Sequence, residues 1–126
     1  MQVKCDEHLK CTLKCAFNVS CLDMDVFVAL MKKNPATVEE LAEMLGKDKS
    51  TIYKSLKKLL ELGLIERDYR IIRSGGYRYL YRPIPYEEFK VKMMKALEQW
   101  IGSLTDFLQS LEKIEKEKLE SALVKT

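Results

Sequence analysis

The sequence predicts a mainly α-helical chain with one β-hairpin (α+β): short helices lead into the hairpin and one long helix follows it. Three observations predict this. Helix start and stop signals punctuate residues 20–63 at the spacing of short helices. Two runs rich in Ile and Tyr flank the tetrapeptide RSGG. An apolar series at heptad spacing runs through the last third of the chain.

The first regular stretch is SCLDMDVFVALMKKNP. Leu22, Val26, Ala29 and Leu30 recur at helical spacing, Asp23 and Asp25 fall in the first turn, lysines fall in the last, and Pro35 follows. ATVEELAEMLG comes next. Thr37 and Glu40 have the spacing of a capping box, in which each side chain satisfies the other's free backbone donor. Val38, Leu41, Ala42 and Leu45 form a buried stripe, and Gly46 stands where a C-terminal cap belongs. Asp48 then caps a helix over about 48–62 with apolar face Ile52, Leu56, Leu59 and Leu60, ended by Gly63. Two short helices joined by GKD have the dimensions of a helix-turn-helix. LIERDYRII and YRYLYRP, with glycines between them that permit positive φ, make a hairpin over 65–82. Together these elements predict a winged helix-turn-helix domain over 20–85. A cysteine-containing segment without clear periodicity (1–19) precedes it. A single long helix from Tyr86 to beyond Leu119 follows, within 86–126.

Charge is distributed unevenly over this plan. The chain of 126 residues carries a net +3, yet Lys47 to Arg82 holds ten basic residues against Asp48, Glu61, Glu66 and Asp68, a local +6. All five arginines lie between Arg67 and Arg82. Such a patch is the electrostatic footprint of an anionic partner. On a helical wheel, Ser50, Lys54, Lys57 and Lys58 fall opposite Ile52, with Thr51 and Tyr53 on the flanks. Short polar side chains at the start of the helix suit base edges in a major groove, while longer cations further along suit phosphates. Arg70, Arg73 and Arg78 surround the hairpin tip, where guanidinium groups serve phosphates and narrow minor grooves. Tyr77, Tyr79 and Tyr81 share one strand face, which predicts that they cover the core or the helix beneath them.

The run ATVEELAEMLGKDKSTIYKSLKKLLELGLIER followed by SGGYRYLYRPIPYEEFK resembles archaeal winged-helix transcriptional regulators of the TrmB and MarR-like type, over Leu22 to about Lys90. The resemblance implies that the second helix of the motif enters the major groove of double-stranded DNA and that the wing touches flanking DNA. By position it implicates Lys49, Ser50, Thr51, Tyr53, Lys54, Arg73 and Arg78. The compact chain is similar to the small Lrs-type dimers, which join through their terminal helices. It has no counterpart of the sugar-binding domain found in some TrmB-type proteins, so no effector is assigned.

Met93, Leu97, Trp100, Leu104, Phe107, Leu111 and Ile114 alternate spacings of four and three, a coiled-coil seam widened by Ile101 and Leu108. A stripe of that length predicts a homodimer whose two reading helices meet half-sites about one DNA turn apart. Cys5, Cys11, Cys15 and Cys21 lack the paired C-x2-C of common zinc frameworks. Buried free thiols, disulfides, and a zinc or iron–sulfur site using His8, Cys11 and Cys15 all remain open. The disulfide reading gains weight because few Asn and Gln beside many Lys and Glu fit a thermophile composition. No cofactor is otherwise expected.

The sequence contains no phosphate-binding glycine loop, and its single histidine has no triad partners at a known spacing, so it predicts no enzyme. The longest apolar run, Val26 to Met31, is far too short for a membrane span, and charges interrupt any signal-like start, so the expected location is the cytoplasm. The sequence therefore predicts a sequence-specific, homodimeric DNA-binding regulator. A winged helix meeting an acidic protein partner and a sequence-tolerant chromatin protein are the competing readings.

Overall fold

A computed structural model describes residues 5–124, with side chains from residue 9 onward. The elements run in the order α1 (Cys5–Phe17), α2 (Cys21–Lys32), α3 (Val38–Leu45), α4 (Lys49–Glu61), β1 (Ile65–Ile71), β2 (Tyr77–Pro83), α5 (Tyr86–Leu111) and α6 (Lys116–Val124).

Local chemistry sets the helix boundaries. Two capping boxes are present among the described residues. Thr37 and Glu40 form the expected one at α3, and Ser20 with Asp23 forms a second at α2. Asp23, expected only as a first-turn acid, thus also accepts from the Ser20 backbone N–H. Gly46 closes α3 in the left-handed conformation, with φ of 64°, where a Cβ would be strained.

The core lies where α2, α3 and α4 converge under the root of the hairpin. Val26, Leu30, Leu41, Ile52, Leu56 and Leu59 are fully buried there, each stabilising the fold by roughly 1.5–3 kcal/mol relative to exposure. The hairpin is anchored to the same core by Tyr81, which is 1% exposed. Ala36 and Tyr81 exchange backbone hydrogen bonds, Ala36 N–H donating at 3.0 Å and Tyr81 N–H at 2.8 Å. The α2–α3 connection thereby acts as a one-residue third strand beside β2. Among the tyrosines expected over the core, Tyr81 is buried and Tyr79 half-buried, but Tyr77 is exposed.

The ends of the chain depart from expectation. Residues 5–17 are helical despite their weak periodicity, because Leu13 packs with Val19 and Met24 in a second apolar cluster that Phe17, Phe89 and Met93 adjoin. Met93, expected in a seam between subunits, therefore packs against its own chain. The long terminal helix is two helices. It ends at Leu111, where Lys113 and Ile114 donate to carbonyls three residues back, and resumes at Lys116. No described helix is long and apolar enough to cross a membrane.

Candidate nucleic-acid interface

The charged face begins at α4. Burying Ile52, Leu56 and Leu59 turns Lys49, Ser50, Tyr53, Lys54 and Lys57 outward, and all five are exposed. Thr51 and Lys58 are half-buried on the flanks, and Ser55 is buried between the apolar residues. Among the described residues, none of Lys49, Lys54, Lys57 and Lys58 takes part in a salt bridge. Their positive charge is available to an anion.

Asp48 occupies the N-cap position, but its side chain makes no capping hydrogen bond. Its carboxylate accepts instead from the Ser50 hydroxyl at 2.6 Å and from the Thr51 hydroxyl. These hydroxyls, Ser50 first, hold the Asp48 carboxyl below its ordinary value. An ionised carboxylate only accepts, so both hydroxyl hydrogens are committed to it and the lone pairs of Ser50 and Thr51 are left for a ligand.

Antiparallel register sorts the wing into two faces. Arg70 stands opposite Arg78 and Glu66 opposite Arg82 on one face; Arg67 stands opposite Tyr81 and Tyr69 opposite Tyr79 on the other. Arg70, Arg73 and Arg78, expected at the tip, line one shallow recess there. Arg82 differs from them, since it pairs with Glu66 at 3.2 Å and also with Asp68. Its charge is neutralised within the hairpin.

Residues outside the sequence-based expectation occupy the second face. The Arg67 guanidinium sits 4.2 Å over the Tyr79 ring, and the neighbouring Tyr81 phenol holds it above its ordinary value. Burial pushes the Tyr81 phenol up, with Arg67 opposing the shift. Tyr69 and Tyr77 stack at 4.9 Å and both remain exposed. Odd numbering shared by Arg67, Tyr69 and Ile71 is the signal that could have placed them on this face. Strand β1 packs against α4, so the hairpin adjoins the basic helix.

On α5, Met93 faces its own chain and Leu97 and Trp100 are half-buried, as is Leu111 at the end of the helix. Ile114 is half-buried in the turn beyond. Leu104 and Phe107 are exposed together with Met94, Ile101 and Leu108. Cys11, Cys15 and Cys21 are free and exposed, not buried. The side chains of Cys5 and His8 lie outside the described residues. Residues 8–15 are helical, but among the described side chains no group of three metal-ligating residues comes together.

Comparison with known proteins agrees with this architecture. The family model described as sugar-specific transcriptional regulator TrmB matches residues 13–87. An uncharacterised protein of Methanocaldococcus jannaschii is 32% identical over 111 residues, 86% of this chain and 84% of its own. A possible transcriptional regulator from Methanosarcina mazei superposes with a TM-score of 0.71 at 25% identity, covering 81% of this chain and 87% of its own. MarR shares the fold at 20% identity, with a TM-score of 0.52 over 95% of this chain and 92% of its own. A basic helix-turn-helix, an arginine-tipped wing and a family match across both make this chain a winged-helix transcriptional regulator of the TrmB family, not an enzyme.

Proposed function

We propose that the chain is a sequence-specific regulator that binds double-stranded DNA as a homodimer, with α4 in the major groove and the β1–β2 wing on flanking DNA. The observation that carries this reading is two groups of exposed cations without ion-pair partners among the described residues, Lys49, Lys54 and Lys57 on α4 and Arg70, Arg73 and Arg78 at the tip of the wing that follows it. Phosphates are the partner such a surface fits, because binding releases the counterions they condense. Ser50, Thr51 and Tyr53 are the residues positioned for base choice.

The homodimer is supported by the apolar stripe of Met94, Ile101, Leu104, Phe107 and Leu108 on α5, which is exposed among the described residues. The stripe is offset from the seam expected on the sequence. Met93 is committed to α1 and α2, so Leu104 and Phe107 are the members of that seam left to meet a partner, with Ile101 and Leu108 beside them.

Titration of labelled duplexes at several salt concentrations tests the reading. The expected result is an affinity that falls steeply with salt and is lost in a Lys54→Ala, Lys57→Ala double variant whose helical content is unchanged. Equal binding by the double variant would move the interface elsewhere.

A further inference from the structure

Away from the nucleic-acid face, α1 and α2 bring together nucleophiles that DNA binding does not use. Cys11 and Cys15 lie one turn apart on α1, Cys21 opens α2, and all three thiols are free and exposed. The Lys14 ammonium donates to Cys21 Sγ at 2.7 Å. That hydrogen bond is the main reason Lys14 lies above its ordinary value, with Cys11 and Cys15 adding smaller contributions. Cys11, Lys14 and Cys21 share the walls of one surface recess with Lys10, Met24 and Asp25. The recess therefore places two ammonium groups against one carboxylate. Cys21 also stands at the positive end of α2. A sulfur beside an ammonium at a helix start, a second thiol on the same recess and open access to solute are the ingredients of an oxidisable pair.

We propose that Cys21 and Cys11 form a redox site whose substrate is a hydroperoxide and whose product is a Cys11–Cys21 disulfide. The Cys21 thiolate attacks the terminal peroxide oxygen, an S–O bond forms, and the O–O bond breaks. The departing alkoxide takes a proton from Lys14 and leaves as an alcohol. Cys11 then attacks the sulfenic sulfur, the S–O bond breaks, and hydroxide leaves with the Cys11 proton as water. Lys14 is reprotonated from solvent, matching the proton that Cys21 gave up as a thiolate. In sum two thiols lose two electrons, and the hydroperoxide becomes alcohol and water. The bond would tie α1, which packs on α5, to α2, which packs on α4, and so link the long helix α5 to the basic helix.

The site stands independently of the DNA reading, because its test reads thiol chemistry. The full chain carrying Cys5→Ser and Cys15→Ser is treated with tert-butyl hydroperoxide and followed by intact mass and peptide mapping. The expected result is loss of two hydrogens, one Cys11–Cys21 bridge within the chain, and one hydroperoxide consumed. Lys14→Met should slow the reaction about tenfold, the scale of one charge-assisted hydrogen bond, and Lys14→Arg should restore most of the rate. Oxygen addition without a bridge, bridging only between chains, or a parental rate in Lys14→Met would overturn the proposal.

Discussion

The Ser50 hydroxyl donates to Asp48 at 2.6 Å, while Thr51 donates to the other carboxylate oxygen. This changes what the start of α4 offers a groove. Neither hydroxyl hydrogen is free for a phosphate, whereas the oxygen lone pairs can accept from the amino groups of cytosine or adenine. Selected sites should carry such an amino group at the position these residues meet. Asp48→Asn should release the hydroxyls, raise binding to unrelated duplexes by removing a negative charge, and reduce discrimination at that position by about 1–3 kcal/mol. Because the hydroxyls hold Asp48 below its ordinary value, the preference should persist to lower pH than an unperturbed carboxylate would allow and be lost only as pH falls through that lowered value. A mismatch series with both proteins measures each point.

The exposed lysines should contribute affinity without choice of base. Lys54→Ala or Lys57→Ala should weaken all duplexes alike and lower the salt slope by about 0.9 for each phosphate no longer neutralised. A weakening confined to one sequence would instead assign the altered lysine to base readout.

Arg70 and Arg78 stand directly opposite in register, a like-charge pair that costs the hairpin roughly 0.2–1 kcal/mol. Arg78→Gln should therefore leave thermal stability equal or higher while weakening DNA binding. A fall in both would mean that Arg78 supports the hairpin in some other way.

The wing tyrosines should separate sharply in a denaturant titration. Tyr81→Ala removes a fully buried ring and should cost roughly 3–5 kcal/mol, by analogy with other large aromatic truncations. Tyr77→Ala, at an exposed tip position, should stay within about 0.5 kcal/mol.

Self-association should depend on the exposed part of α5. Leu104→Glu with Phe107→Glu should give a folded monomer in sedimentation, because two charges cannot be buried unpaired at an apolar seam. The monomer should bind a full site far more weakly than the dimer does.

Much of this architecture was legible because its signals are local. Thr37 with Glu40, Gly46, and the alternation of the hairpin strands each act over a few residues, and each appears in the structure as expected. The helix at 5–17 was not legible, because its order depends on Leu13 meeting Val19 and Met24. The break after Leu111 was hidden for a different reason: the apolar spacing continues through Ile114 with no Gly or Pro to mark a stop. At the candidate interface the outward positions of Lys54 and Lys57 followed from the helical wheel alone, whereas Lys58, expected beside them, is half-buried on the flank. The partners of Asp48 and Arg82 were not legible, since a carboxylate at an N-cap can serve either the backbone or nearby hydroxyls, and cross-strand pairing needs the register.

Sequence-specific recognition of DNA by α4 is tested most directly by presenting the protein with a pool of genomic duplex fragments at several salt concentrations and sequencing those retained. The predicted result is a small set of fragments sharing a two-fold symmetric motif, with half-sites about one turn apart and retention falling steeply with salt. Retention of every fragment alike would contradict specificity and favour a chromatin role. Failure to retain any, by folded dimeric protein at low salt, would assign the lysine face to an acidic protein partner.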